Sequence, residues 1–283
     1  YTGWKFFFEN ENNYNLIRET IPQHEIEDLI GELNDPPPSL IAAINNFILT
    51  VAIGCFTQEN RLNKNNRSML ISMGSRAHTI TSSGRDNRAH ENVRMHVESQ
   101  IDYTQSIFRT IGSNYEDTEV KNYLKIFQDL YALLLEQNSQ FDIQQDLPPW
   151  GSEFIIAIRQ ALESISIVTM DSNTGEEVNW HENKYARILI GGNKLSRGFT
   201  VEGLTVTYLS NYTPTSASDT LEQRARFYGY RKKYSSISKI YLTDGFADHY
   251  QEDGEMKETL EKSLEPYSWQ IGGTDNWQFG FLM

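Results

Sequence analysis

Apolar residues along this chain follow two rhythms. From 39 to about 55, Leu40, Ile41, Ala43, Phe47, Ile48, Val51, Ala52 and Phe56 wrap most of a helix, which predicts an element buried on nearly every side. Asp35-Pro36-Pro37-Pro38 punctuates the chain before it, and Ser39 stands as its N-cap, since a serine hydroxyl can satisfy a free N–H of the first turn. Spacing of three or four predicts further helices over 89–111, 116–137 and 152–165. In the second of these Val120, Tyr123, Leu124, Phe127, Leu130, Tyr131 and Leu134 recur in step. Other helices are expected at 24–33, 217–228 and 247–264.

The second rhythm is a short unbroken apolar run, seen at 68–73, 165–170, 186–190, 204–209 and 237–242. Such runs predict strands buried on both faces, and strands alternating with helices predict a parallel sheet. The fold class is therefore α/β, a parallel sheet between helices. A polar loop rich in Ser, Gly and Arg follows the first strand to about residue 87. The organisation this implies is an N-terminal irregular and helical segment (1–60), a sheet-bearing lobe (61–87 and 148–265), a helical insertion (88–147) and an aromatic tail (266–283). Trp269, Trp277, Phe279 and Phe281 make that tail too aromatic for a free terminus.

Composition narrows the class. With 283 residues, 39% hydrophobic and 22% charged, the chain is long enough to bury a core without disulfides or a structural metal. Its one cysteine, Cys55, excludes a disulfide framework and any multi-cysteine zinc site. No stretch of 18 apolar residues occurs, so no membrane span is expected. No leader peptide is read at the start. Tyr1 rather than Met opens the chain; a fragment of something longer, in a reducing cytoplasm, is the expectation.

Net charge is −13, from 25 basic and 38 acidic residues, which opposes non-specific attraction to nucleic acid. The distribution qualifies this. Seven basic residues (Arg61, Lys64, Arg67, Arg76, Arg85, Arg88, Arg94) fall between 61 and 94, and five (Arg224, Arg226, Arg231, Lys232, Lys233) between 224 and 233. Each window alone reads as a solvated face; together they would make a patch suited to phosphates.

Two segments carry candidate chemistry. Residues 191–204, Gly-Gly-Asn-Lys-Leu-Ser-Arg-Gly-Phe-Thr-Val-Glu-Gly-Leu, lie between two expected strands. Parallel sheets place ligands at loops that leave the carboxyl ends of strands, where backbone N–H groups can approach an anion. Turn chemistry explains one or two glycines, but not Asn193, Arg197 and Thr200 interleaved with Gly192 and Gly198. In 219–231, Asp219 can cap a helix whose polar face presents Gln223 and Arg226, with Arg231 beyond Gly229. Guanidinium groups clamp phosphoryl oxygens well, although arginines on a helix are more often solvated or salt-bridged.

Arg197-Gly198-Phe199-Thr200 with Gly203-Leu204 resembles motif V of superfamily 2 helicases, and Gln223, Arg226 and Arg231 resemble their motif VI. The more specific likeness is to the Z-one domain family, a helicase-associated domain of prokaryotic restriction and defence proteins that carries an endonuclease label. Its hallmark resembles G-G-N-x-L-S-R-G-x-T-x-E-G-L followed by D-T-L-x-Q-x-x-R-x-x-G-Y-R, and both stand here nearly complete. Met69-Leu70-Ile71 with Ser72 and Ser75 is similar to that family's motif IV. The likeness covers about 36–265.

The resemblance implies a RecA-like (P-loop NTPase-like) fold and the second lobe of a two-lobed nucleic-acid motor. It implies ATP with Mg²⁺ bound mainly by a first RecA-like lobe of the full-length chain, DNA as substrate, and other restriction or defence subunits as partners. By the same likeness Arg226 and Arg231 act as arginine fingers and Gln223 positions the attacking water. Gly192, Asn193, Arg197, Gly198 and Thr200 meet the nucleotide, and Ser72, Ser75 and Arg76 meet strand phosphates. The sequence departs from the helicase pattern in two places. Thr200 stands where many superfamily 2 members have Asp, which weakens the ribose contact, and altered arginine spacing leaves the finger's identity open. No G-x-x-x-x-G-K-[ST] and no acidic magnesium box is found, so this chain alone is not expected to hydrolyse ATP.

Two other readings remain. Asp171 with Glu182-Asn183-Lys184 could hold Mg²⁺ beside a phosphate, as a nuclease does, though such triplets are common by chance and an exposed loop salt bridge explains this one. A non-catalytic scaffold is the third. The six histidines form no metal pattern: His90 and His96, six apart, read as structural or solvent-facing, and His78 as a loop residue. Tyr228 and Tyr230 suit base stacking or core packing equally.

Overall fold

The computed structural model describes residues 15–30, 35–57, 66–72, 78–80, 86–111, 117–170, 185–191, 201–210, 234–245 and 259. In chain order its elements are β1 (Arg18–Thr20), α1 (Gln23–Ile30), α2 (Pro38–Phe56), β2 (Arg67–Ser72), β3 (His78–Ile80), β4 (Asp86–Arg88), α3 (Ala89–Thr110), α4 (Thr118–Ser139), α5 (Ser152–Ser164), β5 (Ile165–Met170), β6 (Ala186–Gly191), β7 (Leu204–Leu209) and β8 (Lys239–Leu242). Six of the strands form one sheet in the order β1-β8-β7-β2-β6-β5, and every pairing in it is parallel. The protein is thus an α/β fold, as its strand and helix rhythm predicts.

Central strands β2, β6 and β7 are buried at every position, which is why their sequences show no polar alternation. One face of the sheet presents Met69, Ile71, Ala186, Ile188, Ile190, Val206, Tyr208 and Tyr241 to a single core that also holds side chains of α2, α3, α4 and α5. On the other face Leu70, Leu189, Leu209, Ile240 and Leu242 are buried as well. Each large apolar side chain taken fully out of water contributes about 1.5–3 kcal/mol.

Helix α2 runs against the strand direction. Near its start Ser39 Oγ lies 2.8 Å from Tyr208 Oη, and two-thirds along it Thr50 Oγ1 lies 2.9 Å from Thr205 Oγ1 at the opposite end of β7. By length and composition α2 could cross a membrane, but its sides are packed inside the protein. Close approach is eased at Gly54, where a Cβ would fall 1.7 Å from the Tyr185 hydroxyl. Helices α2, α3 and α4 are further tied by a buried polar cluster. Gln100 Nε2 donates to Tyr123 Oη (2.7 Å) and Asn45 Oδ1 (3.3 Å), and Thr104 Oγ1 lies 2.7 Å from Tyr123 Oη.

Several expectations change. Pro37, not Ser39, is the N-cap of α2. Pro38 opens the helix with a preset φ, and the Ser39 N–H is taken instead by Glu25 Oε2 of α1 at 2.7 Å. Strand β1 was not expected in the irregular N-terminal segment. The polar loop after β2 contains an antiparallel pairing of β3 with β4. The run at 237–242 is split into a 3-10 turn, Ser235–Ile237, and β8. Of the two alternatives for His90 and His96, the structural one holds: both are buried, because α3 turns a broad face inward. The helix expected at 217–228 lies outside the described residues, as does that at 247–264 except for Thr259, which is helical.

Candidate functional site

Register brings all six strand ends to one level. A single rung runs through Met170, Gly191, Ser72, Leu209, Leu242 and Thr20. Three adjacent strands on that rung, β6, β2 and β7, are followed in sequence by 192–200, 73–77 and the connection that carries 219–231. Residues far apart in the chain are therefore rooted side by side at the carboxyl edge, where open parallel sheets bind ligands.

The edge is tightly cross-tied. The Ser72 carbonyl accepts from the Ser210 N–H (3.2 Å) and Ser210 Oγ (3.4 Å). Ser72 itself is only 3% exposed, at the point where the chain leaves β2 toward Ser75 and Arg76. At the outer end of the rung Asp244 Oδ1 accepts from Arg18 Nη2 (3.0 Å) and Thr20 Oγ1 (3.1 Å), pinning β1 to β8. Beneath the edge the Tyr208 and Tyr241 rings stack, with centroids 6.0 Å apart. Asn46 Nδ2 donates to Tyr241 Oη at 2.7 Å. Burial pushes both phenols above their ordinary pKa, so they form a neutral floor.

The 191–204 segment does not stay at this edge. Gly191 ends β6 on the carboxyl rung, whereas Glu202 and Gly203 sit at the amino end of β7, on the far side of the sheet. There Asn66 Nδ2 donates to Glu202 Oε2 at 2.6 Å, Ser68 Oγ to the Glu202 carbonyl at 2.7 Å, and the Ser68 N–H to the Gly203 carbonyl at 2.9 Å. Arg187 Nη1, on buried β6, donates to Asn66 Oδ1 at 3.2 Å. No motif marks Asn66 or Arg187, whereas Glu202 stands inside the hallmark.

The basic windows are also redrawn. Arg67 is 1% exposed, with its guanidinium carbon 4.1 Å from the centre of the Tyr234 ring; it belongs to the core, where a cation over an aromatic face is favourable. Arg94 bonds Glu98 one turn along α3 at 2.8 Å. Cys55 is buried, and its thiol is pushed up to about 12 by that burial, with Arg67 opposing; it behaves as a small hydrophobe, as expected. Among the described residues no three His, Cys, Asp or Glu side chains come together as metal ligands do. Of the remaining sequence candidates, Ser75, Arg76, Gly192, Asn193, Arg197, Gly198, Thr200, Gln223, Arg226 and Arg231 lie outside the described residues, as do Asp171, Glu182, Lys184, Tyr228 and Tyr230.

The fold and this edge define the class: a parallel α/β fold whose strand ends are gathered on one rung. Within it, the Z1 domain family model matches residues 39–280, and the chain belongs to that family. No curated protein and no solved structure matches it.

Proposed function

We propose that the chain is the second, RecA-like lobe of a two-lobed, helicase-like ATPase that acts on DNA in prokaryotic restriction or defence, in the cytoplasm. The observation that supports this reading is the common rung: the segments that resemble motifs IV, V and VI begin or connect at three neighbouring strand ends. Chemistry split across two lobes needs such convergence, because the arginines of one lobe must reach a phosphate held by the other.

In this reading ATP with Mg²⁺ is bound mainly by the first lobe of the full-length protein. Arg226 and Arg231 neutralise charge that builds on the transferring phosphoryl group, and Gln223 orients the attacking water. Gly192, Asn193, Arg197, Gly198 and Thr200 sense the nucleotide. Ser75 and Arg76 meet DNA phosphates on a loop rooted at Ser72. A positioned arginine raises turnover by roughly 10³-fold or more. Arg226→Ala in the full-length protein is therefore expected to lower DNA-stimulated ATP turnover by about that factor. Unchanged turnover would remove the motor reading.

A further inference from the structure

Among the described residues, every large apolar side chain that stays exposed lies between Met95 and Ile156, on α3, α4, α5 or the connection after α4. Two of them, Ile126 at 47% and Leu133 at 59% exposure, stand on α4 with half-buried Leu130 between them. Steps of four and then three residues put all three on one stripe of the helix. This stripe is additional to the face that α4 turns into the core through Val120, Tyr123, Leu124, Phe127, Tyr131 and Leu134. Apolar residues scattered singly over a surface need no explanation, whereas a row of them along one helix is the form that a docking site takes. We propose that the stripe docks a second copy of the chain, α4 lying antiparallel on the partner's α4 about a two-fold axis beside Leu130.

The occupant follows from self-complementarity. A two-fold contact lays one patch on itself, so the patch must match its own reverse. About an axis beside Leu130, Ile126 faces the partner's Leu133, Leu133 faces the partner's Ile126, and Leu130 meets the partner's Leu130. Along one side of the stripe runs an exposed charged row, Lys125, Asp129 and Glu136. The same axis sets Lys125 across from the partner's Glu136, and Glu136 across from the partner's Lys125. Among the described residues the Glu136 carboxylate has no ion pair within its own chain. Lys125 Nζ lies 3.0 Å from Asp129 Oδ1, and an ammonium has three donors. It therefore serves a second carboxylate while offsetting the charge of Asp129 near the axis.

Other arrangements fit less well. Parallel helices would set Lys125 beside the partner's Lys125 and Glu136 beside the partner's Glu136, and like charges so placed oppose docking. Nucleic acid is excluded by the row itself, which carries two carboxylates and one ammonium where phosphates need cations. The net charge of −13 opposes self-association at long range. At physiological salt that repulsion is screened beyond about 8 Å, so the apolar stripe and the two crossed ion pairs decide at contact. None of this depends on the motor-lobe reading.

The test is sedimentation of the full-length protein at roughly 0.15 M salt, over loadings up to about 1 mM so that weak contacts are covered. Wild-type protein is expected to pass from monomer to dimer as loading rises. Leu133→Asp, at a position the core does not use, should weaken the dimer about 10-fold or more and leave the thermal midpoint unchanged. Lys125→Glu and Glu136→Lys should each weaken it as well, because each sets like charges across both crossed pairs. An equal mixture of these two variants should form dimers again, since Glu at 125 then faces Lys at 136 and Lys125 faces Glu136. That rescue on mixing is specific to a two-fold antiparallel contact. Wild-type protein that stays monomeric at every loading overturns the proposal. So does a dimer that Leu133→Asp leaves intact, or a mixture of the charge variants that associates no better than either alone.

Discussion

Gly203 shows what one backbone angle can demand. Its φ of 60° and the 1.5 Å gap from a built Cβ to the Asn66 carbonyl leave no room for a side chain. Gly203→Ala should cost about 1–3 kcal/mol for the left-handed conformation alone, with further loss from the shift that β2 or β7 must make. A lowered urea midpoint measures it, and a wild-type midpoint would contradict the geometry. The hallmark glycines were legible in the sequence as turn residues. That Gly203 takes a positive φ was not, since its turn is set against a carbonyl more than 130 residues away in the chain. Arg67 is a similar case. A count of charges puts it in a basic window, but only the start of β2 reveals that its guanidinium is buried over Tyr234.

Elements were more readable than single residues where their pattern was strong. Helix α2 is apolar on all sides in the sequence and buried on all sides in the fold. Phe47, fully buried at its centre, sets the expected scale: Phe47→Ala should destabilise by about 3–5 kcal/mol in chemical denaturation. A loss below 1 kcal/mol would mean that α2 is not the core helix. The entrance to α2 differs from its sequence pattern because the sequence offers a good capping residue, Ser39, whereas the acceptor comes from Glu25 on another helix. Tertiary contacts of this kind leave no local signature. Strands β1, β3 and β4 leave no local signature either. Three residues each, Arg-Glu-Thr, His-Thr-Ile and Asp-Asn-Arg, are too short and too polar to show a period.

At the scale of the whole molecule the parallel α/β class followed from the rhythm of the chain, while the strand order did not. The sequence predicts that β6 and β7 are strands; it does not say that β2 lies between them. Only that insertion puts the ends of β6, β2 and β7 next to one another, and only it sets Glu202 and Gly203 beside Asn66 and Ser68.

The family match begins at residue 39, whereas the architecture begins earlier. A protein trimmed to that boundary would lose β1, leaving the outer backbone N–H and C=O groups of β8 without their parallel partner, and would lose Glu25 from the mouth of α2. An uncovered strand edge is a template for another chain. Light scattering behind a sizing column should therefore find the trimmed protein self-associating under conditions where the chain from residue 1 elutes as a smaller species. Equal masses for the two would mean that the three-residue hem at Arg18–Thr20 is dispensable.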